Sequence, residues 1–554
     1  MEVIPRVLRS DREGAGEVLT MVGEWGSAKE VVMAAQECVE WLGRVLGGRE
    51  LEDGVEGEGG EGGEEEEDLG DAARAVKIFV RLLSLYASAI PRLKTRKSSA
   101  ETLRSVLPDL ERLVWLVAAE ASVMEGRVLI DSAAGLVSKV VPWVRARAED
   151  DSHEVLSLSL TERGTLCRKV LLASFLDAVL EACGDKIGSS LAHRTFEATA
   201  RVVRSGVRSD WEEGRDVMLR AIDASNALGR SFDSLQSRPT IASLILIAHT
   251  PLPTQPDVAL LTAMFPVVIS SLQTNTALDE TLHLLLTLLS RSSDTSTDIP
   301  PDILLPLTAL LPPICSVHPD PSTRYLTFRL LANALHMAQP PIRLQVLRTL
   351  LSPSETVFPQ MRTAAVTLVK ESVLRALANP TASAPQDVFA RPELLEAVGS
   401  FVFRTDPPGL FDGEDGVALA EFVGSSEPAR LVECLGFYLV LLKRDVENKT
   451  GVRDLDFISG IERSFLSPMR SRVASWLDTL GGEWGFFFFF FFFFFSCVGK
   501  GVWTLSVFCF LSYWLSRAIP LIAATDDLHD IMPLAALQMN IQLVDAAVRE
   551  IVPA

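Results

Sequence analysis

The sequence predicts an all-α protein, an α-solenoid of HEAT-like or armadillo-like helical repeats. Apolar residues recur at steps of three and four along most of the chain, which is the helical period. Helix pairs recur about every 40 residues, as HEAT and armadillo units do. Strand-like alternation flanked by Asn-Gly or Asp-Gly turns is not evident. An ordinary helical bundle is the alternative, but its helices usually keep a broad wetted face.

The stretch from Pro301 to Pro380 carries the clearest helical pattern. One helix opens at Asp320-Pro321, where an acceptor side chain precedes a proline whose missing N–H costs nothing in the first turn. A short helix follows Pro340, and a longer one ends at Asn379-Pro380. The first helix has two apolar rows, which predicts two packed neighbours. They are Tyr325, Phe328, Leu331, Ala332 and Leu335, and Leu326, Leu330, Ala334 and Met337.

Composition and breaks divide the chain into segments. We expect an N-terminal helical cap at 1–48, an acidic Gly/Glu-rich disordered loop at 49–70, helical repeats at 71–290 and 301–480, a Phe-rich apolar segment at 486–515 and a C-terminal helix at 519–554. The first strong helix begins at Ser27 with a capping-box pattern and is expected to end at Gly47-Gly48. The loop is too rich in Gly and Glu to bury enough apolar area to order.

Charge is concentrated in one run. The net charge is −20, but about a dozen acids lie between Glu50 and Asp71. The rest of the chain is only mildly acidic, so we predict no nucleic-acid partner, which would require a basic face. A basic cluster, Arg92 to Lys97, fits either a nuclear localisation signal or cations at a helix C-terminus. The structural interpretation is favoured.

Ten consecutive phenylalanines, Phe486 to Phe495, precede a second apolar stretch that ends at Leu515. A homopolymer has no face and cannot specify a register between packed helices. The segment is interpreted as a membrane span, a buried helical hairpin or translated non-coding sequence. The third is favoured, because an amphipathic pattern stops at Leu480 and resumes near Ile519. A membrane association is expected only if Phe486–Leu515 is a genuine expressed segment.

No catalytic, cofactor or metal site is predicted. The seven histidines and seven cysteines are dispersed, with no H-E-x-x-H, no C-x-x-C and no phosphate-binding glycine motif. The cysteines are expected to be small buried hydrophobes rather than sensor thiols. The N-terminus has no apolar leader pattern, so we expect a cytoplasmic or nuclear protein.

Four blocks resemble the glomulin / YAP-binding protein family, particularly its fungal members. They are LYASAIPRLKTRKSS at Leu85–Ser99, HPDPSTRYLTFRLLANAL at His318–Leu335, PQMRTAAVTLVKESVL at Pro359–Leu374 and EPARLVECLGFYLVLLKRDVENKTGVRD at Glu427–Asp454. The resemblance implies a helical adaptor without catalysis. Its implied partner is a bZIP oxidative-stress transcription factor or, alternatively, the RING subunit of a cullin-RING ubiquitin ligase. In glomulin-like proteins, the C-terminal repeats carry partner binding.

A candidate partner surface lies on the outer face and at the end of the helix that Ser426 is expected to cap. There a polar cluster follows a well-packed stem, although a solvated helix end is the alternative. The residues are Arg430, Arg444, Asp445, Asn448 and Arg453. A nuclear-transport solenoid and a membrane-anchored protein are competing functional classes.

Overall fold

The computed structural model describes residues 3–52, 72–94, 99–154, 158–200, 209–251, 258–294, 300–354, 358–378, 387–411, 417–480 and 528–552. Every regular element in these ranges is a helix, and most are paired with sequence neighbours. The predicted class, an all-α helical-repeat fold, is confirmed. The chain forms two compact units: residues 1–311 with 320–333, and residues 312–319 with 334–554.

The first unit contains fourteen α-helices in the described residues: α1 (Val3–Leu8), α2 (Ala15–Trp25), α3 (Ala28–Glu52), α4 (Ala72–Ala89), α5 (Ser99–Arg104), α6 (Leu107–Ala119), α7 (Val123–Glu154), α8 (Leu158–Ala182), α9 (Leu191–Ala200), α10 (Trp211–Ala227), α11 (Phe232–Ser237), α12 (Ile241–His249), α13 (Val258–Thr274) and α14 (Leu278–Asp294). Two more, α15 (Pro301–Val317) and α16 (Pro321–His336), contribute residues to both units.

Within the first unit, the long helices pack both against helices adjacent in the chain and against helices two to five elements away. Helix α4 lies against α2, α3 and α7, and α7 lies against α4, α8 and α10. Helix α14 packs on α9, α12 and α13. The predicted stripe of α4 is buried, including Phe79, Leu82 and Tyr86. This layering is the packing expected of stacked helical hairpins.

The second unit contains α17 (Pro340–Leu351), α18 (Pro359–Ala378), α19 (Glu393–Val402), α20 (Leu419–Gly424), α21 (Glu427–Arg444), α22 (Leu455–Ile461), α23 (Ser467–Leu480) and α24 (Leu528–Ile551). Helix α21 is central, because it packs on α18 on one side and on α24 on the other. The short segment Glu462–Leu466 forms a π-helical turn that joins α22 to α23.

Polar side chains define several helix starts as the sequence predicts. The Asp320 carboxylate accepts hydrogen bonds from Ser322 N at 3.2 Å and Thr323 N at 2.8 Å, so it caps α16. Thr240 and Ser243 form a reciprocal capping box at α12. These caps satisfy N–H groups that have no partner within the helix.

Arginines from neighbouring elements donate hydrogen bonds to the free carbonyl groups at several helix C-termini. Arg81 donates to the carbonyls of Leu8 and Ser10 after α1, at 2.9 and 2.8 Å. Arg92 donates to the carbonyls of Gly23 and Gly26 at the end of α2, which supports the structural interpretation of that basic residue. Arg343 donates to three carbonyls, of Leu335, His336 and Ala338, at the end of α16. A guanidinium suits this position because it offers several donors and a positive charge to the negative end of the helix.

The structure differs from the expected elements at identifiable places. Helix α3 continues to Glu52, past the Gly47-Gly48 pair at which its end was predicted. The apolar pattern over 101–119 predicts a single helix, but the structure has two, because the chain turns before Pro108. Tyr325, predicted to be packed, is 37% exposed. Helices α1, α2, α11, α12, α19 and α20 were not predicted individually.

Two predicted segments lie mainly or wholly outside the described residues. They are the acidic loop, apart from residues 49–52, and the Phe-rich segment at 486–515. Among the helices that the structure does describe, none combines the length and the apolar character needed to cross a membrane.

Candidate protein-binding site

The helix that carries the predicted surface, α21, begins where the sequence places it, but with a different cap. Ser426 occupies the N-cap position, and its side chain makes no capping hydrogen bond. Instead, the Glu427 N–H donates to Ser425 Oγ at 3.2 Å. Its apolar residues Leu431, Cys434 and Tyr438, which recur at steps of three and four, are fully buried.

Arg430 lies inside the second unit, so its predicted exposure was wrong. Its residue is 2% exposed, and its guanidinium forms a two-pronged ion pair with the buried Glu427. It also donates to the carbonyls of Phe401 at 3.1 Å and Arg404 at 2.6 Å, at the end of α19. Burial is the largest single influence and opposes the charge, but the hydrogen bond to Glu427 and the nearby negative charges of Glu427 and Asp406 together outweigh it, so the pKa of Arg430 is raised.

A second ion pair extends this buried network. Glu427 Oε1 accepts from Asp406 N at 2.9 Å, and the Asp406 carboxylate pairs with Arg362, which is 8% exposed. Arg362 Nε donates to the carbonyl of Leu351 at the end of α17. The network therefore fixes α17, α18 and α21 to the loop after α19. Its role is to hold the fold, because its charges are mutually paired.

Asp445 is also buried, at 1% exposure, so its predicted exposure was wrong too. Its carboxylate accepts from Lys449 N and Thr450 N, both at 2.8 Å, and from the Thr450 hydroxyl at 2.7 Å. It therefore organises the turn that follows α21. The fixed turn leaves Val446, at 69% exposure, facing solvent.

Asn448 and Arg453 are half-buried parts of the same turn. Asn448 has φ +53° and its amide donates to Asp454 Oδ1 at 2.7 Å, while its oxygen accepts from Arg453 N at 2.8 Å. The Arg453 guanidinium donates to the carbonyl of Leu442 at 2.6 Å and so caps the C-terminus of α21. The structure brings together Asp445, Asn448 and Arg453, with Arg444 exposed beside them.

Helix α24 packs one apolar stripe against the rest of the second unit. Its buried residues recur at steps of three and four: Leu534, Leu537, Ile541, Val544 and Ala547. Two ion pairs anchor it, from Asp545 to Arg470 at 2.7 Å and from Glu550 to Lys443. Lys443 lies in the last turn of α21, so the C-terminal ends of α21 and α24 are neighbours.

The opposite side of α24 is apolar and exposed. Met532 is 62% exposed, Met539 39% and Leu543 46%, and Ala546 continues the same line one turn later. We call Met532, Met539, Leu543 and Ala546 the α24 face. Their spacing of 7, 4 and 3 residues places them on one side of the helix, opposite the buried stripe. A helix with apolar residues on two opposite sides has two surfaces to cover, and the second one is open.

The α24 face was not predicted, because the predicted surface consisted of polar residues on α21 and the turn that follows it. A signal was present, because the sequence from Met532 to Ile551 contains two apolar rows rather than one. Two rows predict two neighbours, as they do for α16. Two charged residues of this helix, Asp545 and Glu550, are already paired.

Several other side chains with reactive chemistry, among them Cys38, Cys183 and Cys434, are buried within the described residues. His249 Nε2 lies 3.2 Å from Glu280 Oε1, and both side chains are at most 3% exposed. Burial raises the pKa of the Cys38 and Cys434 thiols to about 11 and of Cys183 and Cys315 to about 12. A thiol with a raised pKa is mostly protonated at neutral pH and reacts slowly. In the described part of the chain, no group of three or more His, Cys, Asp or Glu residues is arranged to hold a metal ion.

Residues 248–478 match the model of a protein family described as an uncharacterised family, YAP/Alf4/glomulin. The match supports the resemblance to the glomulin / YAP-binding family over this segment. The match runs from the end of α12 to α23, and it contains three of the four blocks that carried the resemblance. The block at Leu85–Ser99 and helix α24 lie outside it. No curated protein matches the chain.

Proposed function

We propose that this protein is a non-catalytic helical-repeat adaptor that binds a regulatory protein through the α24 face. The family match supports a protein-binding role. The matched segment also includes most of the helices on which α24 packs. The observation that carries the proposal is the exposed apolar row of α24. Contiguous exposed apolar residues are a feature of interaction sites in soluble domains.

The geometry of the α24 face favours a helical partner. From Met532 to Ala546 the row extends roughly 21 Å, at 1.5 Å rise per residue. Side chains at this spacing pack against an apolar stripe of similar spacing on a second helix. We therefore propose that the partner binds the α24 face through an amphipathic helix.

A bZIP transcription factor of the oxidative-stress response supplies such a helix, and it is our first choice of partner. The RING subunit of a cullin-RING ubiquitin ligase is the alternative that the family resemblance implies. The end of α21, with exposed Arg444 and half-buried Asn448 and Arg453, borders the proposed surface through the Lys443–Glu550 pair. Arg430 and Asp445 contribute indirectly, by holding α21 and its turn.

The described thiols favour an adaptor over a peroxide sensor. Cys38, Cys183, Cys315 and Cys434 have raised pKa values, and three of them are buried. In the proposed role, the protein holds its partner while the peroxide chemistry takes place on other groups. The proposed location is the cytoplasm or the nucleus.

The test is capture of tagged full-length protein from peroxide-treated and untreated cells, followed by mass spectrometry. A bZIP factor, recovered more strongly after peroxide, would support the first partner; a cullin with its RING subunit would support the second. Each must also be reconstituted from purified proteins, and binding must fall when Leu543 is changed to Asp. Recovery of a nuclear-transport GTPase, or binding that is indifferent to Leu543→Asp with every partner, would overturn the proposal.

A further inference from the structure

A second surface in the second unit has the features of a ligand groove. It is a cavity of about 420 Å³, which is within the range of roughly 300 to 1,000 Å³ typical of ligand pockets. Three aromatic rings, Phe403, Phe411 and Phe465, contribute to its lining. Ser400, Thr405 and Ser464 add hydroxyl groups, and Arg404 adds a guanidinium. We call this cavity the Arg404 groove.

The aromatic lining is held rigidly from behind. The Phe403 ring contacts four other rings, among them Tyr438 at 5.2 Å and Phe465 at 6.2 Å between centroids. Phe411 contacts Phe422 and Trp476 at 5.8 and 5.9 Å. A groove whose lining is fixed in the free protein loses little conformational entropy when a ligand binds.

The backbone around the groove is fixed by the buried ion pairs. Arg430 donates to the carbonyls of Phe401 and Arg404, and Asp406 is held by Arg362. On the opposite wall, the π-helical turn 462–466 presents Ser464 and Phe465. Single π-helical turns occur frequently at functional sites, because the extra residue re-aims the side chains on that turn.

The electrostatics of the groove select an anion. The Arg404 side chain is exposed, and within the described residues its guanidinium has no hydrogen bond or ion pair. Among the described residues that line this groove, none is Asp or Glu. A neighbouring cavity of about 190 Å³ is the opposite case, because Asp406, Glu421 and Glu427 line it. In a chain with a net charge of −20, a groove whose described lining combines an exposed guanidinium with no carboxylate is distinctive.

We propose that the Arg404 groove binds a short acidic peptide segment of a partner protein. An Asp or Glu carboxylate of the peptide pairs with the Arg404 guanidinium, whose planar fork matches a carboxylate. An adjacent bulky apolar side chain packs on Phe403, Phe411 and Phe465, and the hydroxyl groups bind the peptide backbone. This site is separate from the α24 face and does not require it.

The test is fluorescence anisotropy with the full-length protein and two labelled peptides. One peptide has a central phenylalanine flanked by aspartates, and the other has asparagines in place of the aspartates. We expect the acidic peptide to bind at least tenfold more tightly, and Arg404→Glu to weaken it at least tenfold. Arg348→Glu, which reverses another exposed arginine of the same unit, is the matched control and should change nothing.

Two results would overturn the inference: equal binding of the two peptides, or equal binding by the Arg404→Glu and Arg348→Glu variants. Circular dichroism checks that both variants fold, and Arg404→Gln provides a neutral replacement that should give a smaller loss. The Leu543→Asp variant should retain peptide binding. Failure of the groove therefore leaves the α24 proposal intact, and failure at α24 leaves the groove intact.

Discussion

The inner side of α21 and the outer side of α24 reverse the usual distribution of polarity, in which interiors are apolar and surfaces are polar. Inside, Arg430 and Glu427 are charged and almost fully buried. Outside, Met539 and Leu543 are apolar and substantially exposed. Every charge in the inner network has an ion-pair partner, whereas among the described residues no helix packs on the α24 face. The comparison teaches that residue polarity alone does not decide burial here. A charged side chain is buried where hydrogen-bond and ion-pair partners surround it, and an apolar side chain is exposed where no neighbouring helix covers it.

The largest effect should come from breaking the inner network. Changing Arg430 to Ala leaves the Glu427 carboxylate buried without its main partner, which costs about 3 to 5 kcal/mol in the free energy of unfolding. Urea denaturation measures this loss, and hydrogen exchange should show reduced protection of α21. Arg348→Ala is the control and should stay within about 0.5 kcal/mol of the wild type. A loss below about 1 kcal/mol for Arg430→Ala would show that the pair contributes little.

A buried polar pair of the first unit sharpens the comparison, because its members are held neutral rather than charged. Burial lowers the pKa of His249 to about 4 from 6.5 and raises that of Glu280 to about 7 from 4.5. His249 and Glu280 bond to each other, with Asp279 adjacent, whereas the Arg430 guanidinium donates to several acceptors around it. Few partners leave burial as the dominant cause.

The two shifts predict opposite pH dependences. Glu280 contributes stability that is complete below pH 4.5 and is lost as the pH rises through about 7. His249 contributes stability that is present above pH 6.5 and is lost as the pH falls toward 4. Between pH 4.5 and 6.5 these two contributions oppose each other, each on the order of 1 kcal/mol per pH unit.

Single variants should therefore reveal each slope. Relative to the wild type, Glu280→Gln should lose stability on acidification from pH 6.5 to 5, because only His249 still titrates. His249→Gln should gain stability over the same interval. Thermal unfolding at several pH values measures both slopes. Parallel curves for the two variants and the wild type would contradict neutral burial of the pair.

A smaller effect is expected at the end of α21. Arg453→Ala removes the guanidinium that caps the Leu442 carbonyl, which should cost about 1 to 2 kcal/mol because the residue is half-buried. Hydrogen exchange in the last turn of α21 should accelerate. Lysine at this position should restore part of the protection through its charge. Unchanged exchange would mean that the capping contact is not needed.

The sequence predicted the amphipathic helices well and the fully buried ones poorly. Helices α4, α16 and α18 were found because one polar side sets the helical period. Helix α12 was missed because Ala242 to Ala248 are all buried, so no period distinguishes it from a buried strand. The Thr240–Ser243 box was the available signal.

The candidate site was predicted in its region and not in its residues. Arg430 and Asp445 were expected on the surface because charged residues usually lie there. Phe401, whose carbonyl accepts from Arg430, lies in the last turn of the distant helix α19, and Thr450, which donates to Asp445, lies in a turn whose conformation the local pattern does not specify. The exposed row of α24 depends on which of its two apolar sides packs inward, and that requires the neighbouring helices.

The smallest effect on stability is expected on the α24 face itself. Met539→Asp and Leu543→Asp add charge to positions already in contact with water, so each should shift the free energy of unfolding by no more than about 0.5 kcal/mol. Gln542→Asp is the matched control, since Gln542 is exposed on the same turn but outside the row.

The central claim is that this face binds the partner, and the direct measurement is the affinity of the purified partner for these three variants at equal fold stability. The account predicts at least a tenfold weaker complex for Met539→Asp and Leu543→Asp, with wild-type affinity for Gln542→Asp. Equal affinities for all three variants and the wild type would contradict it.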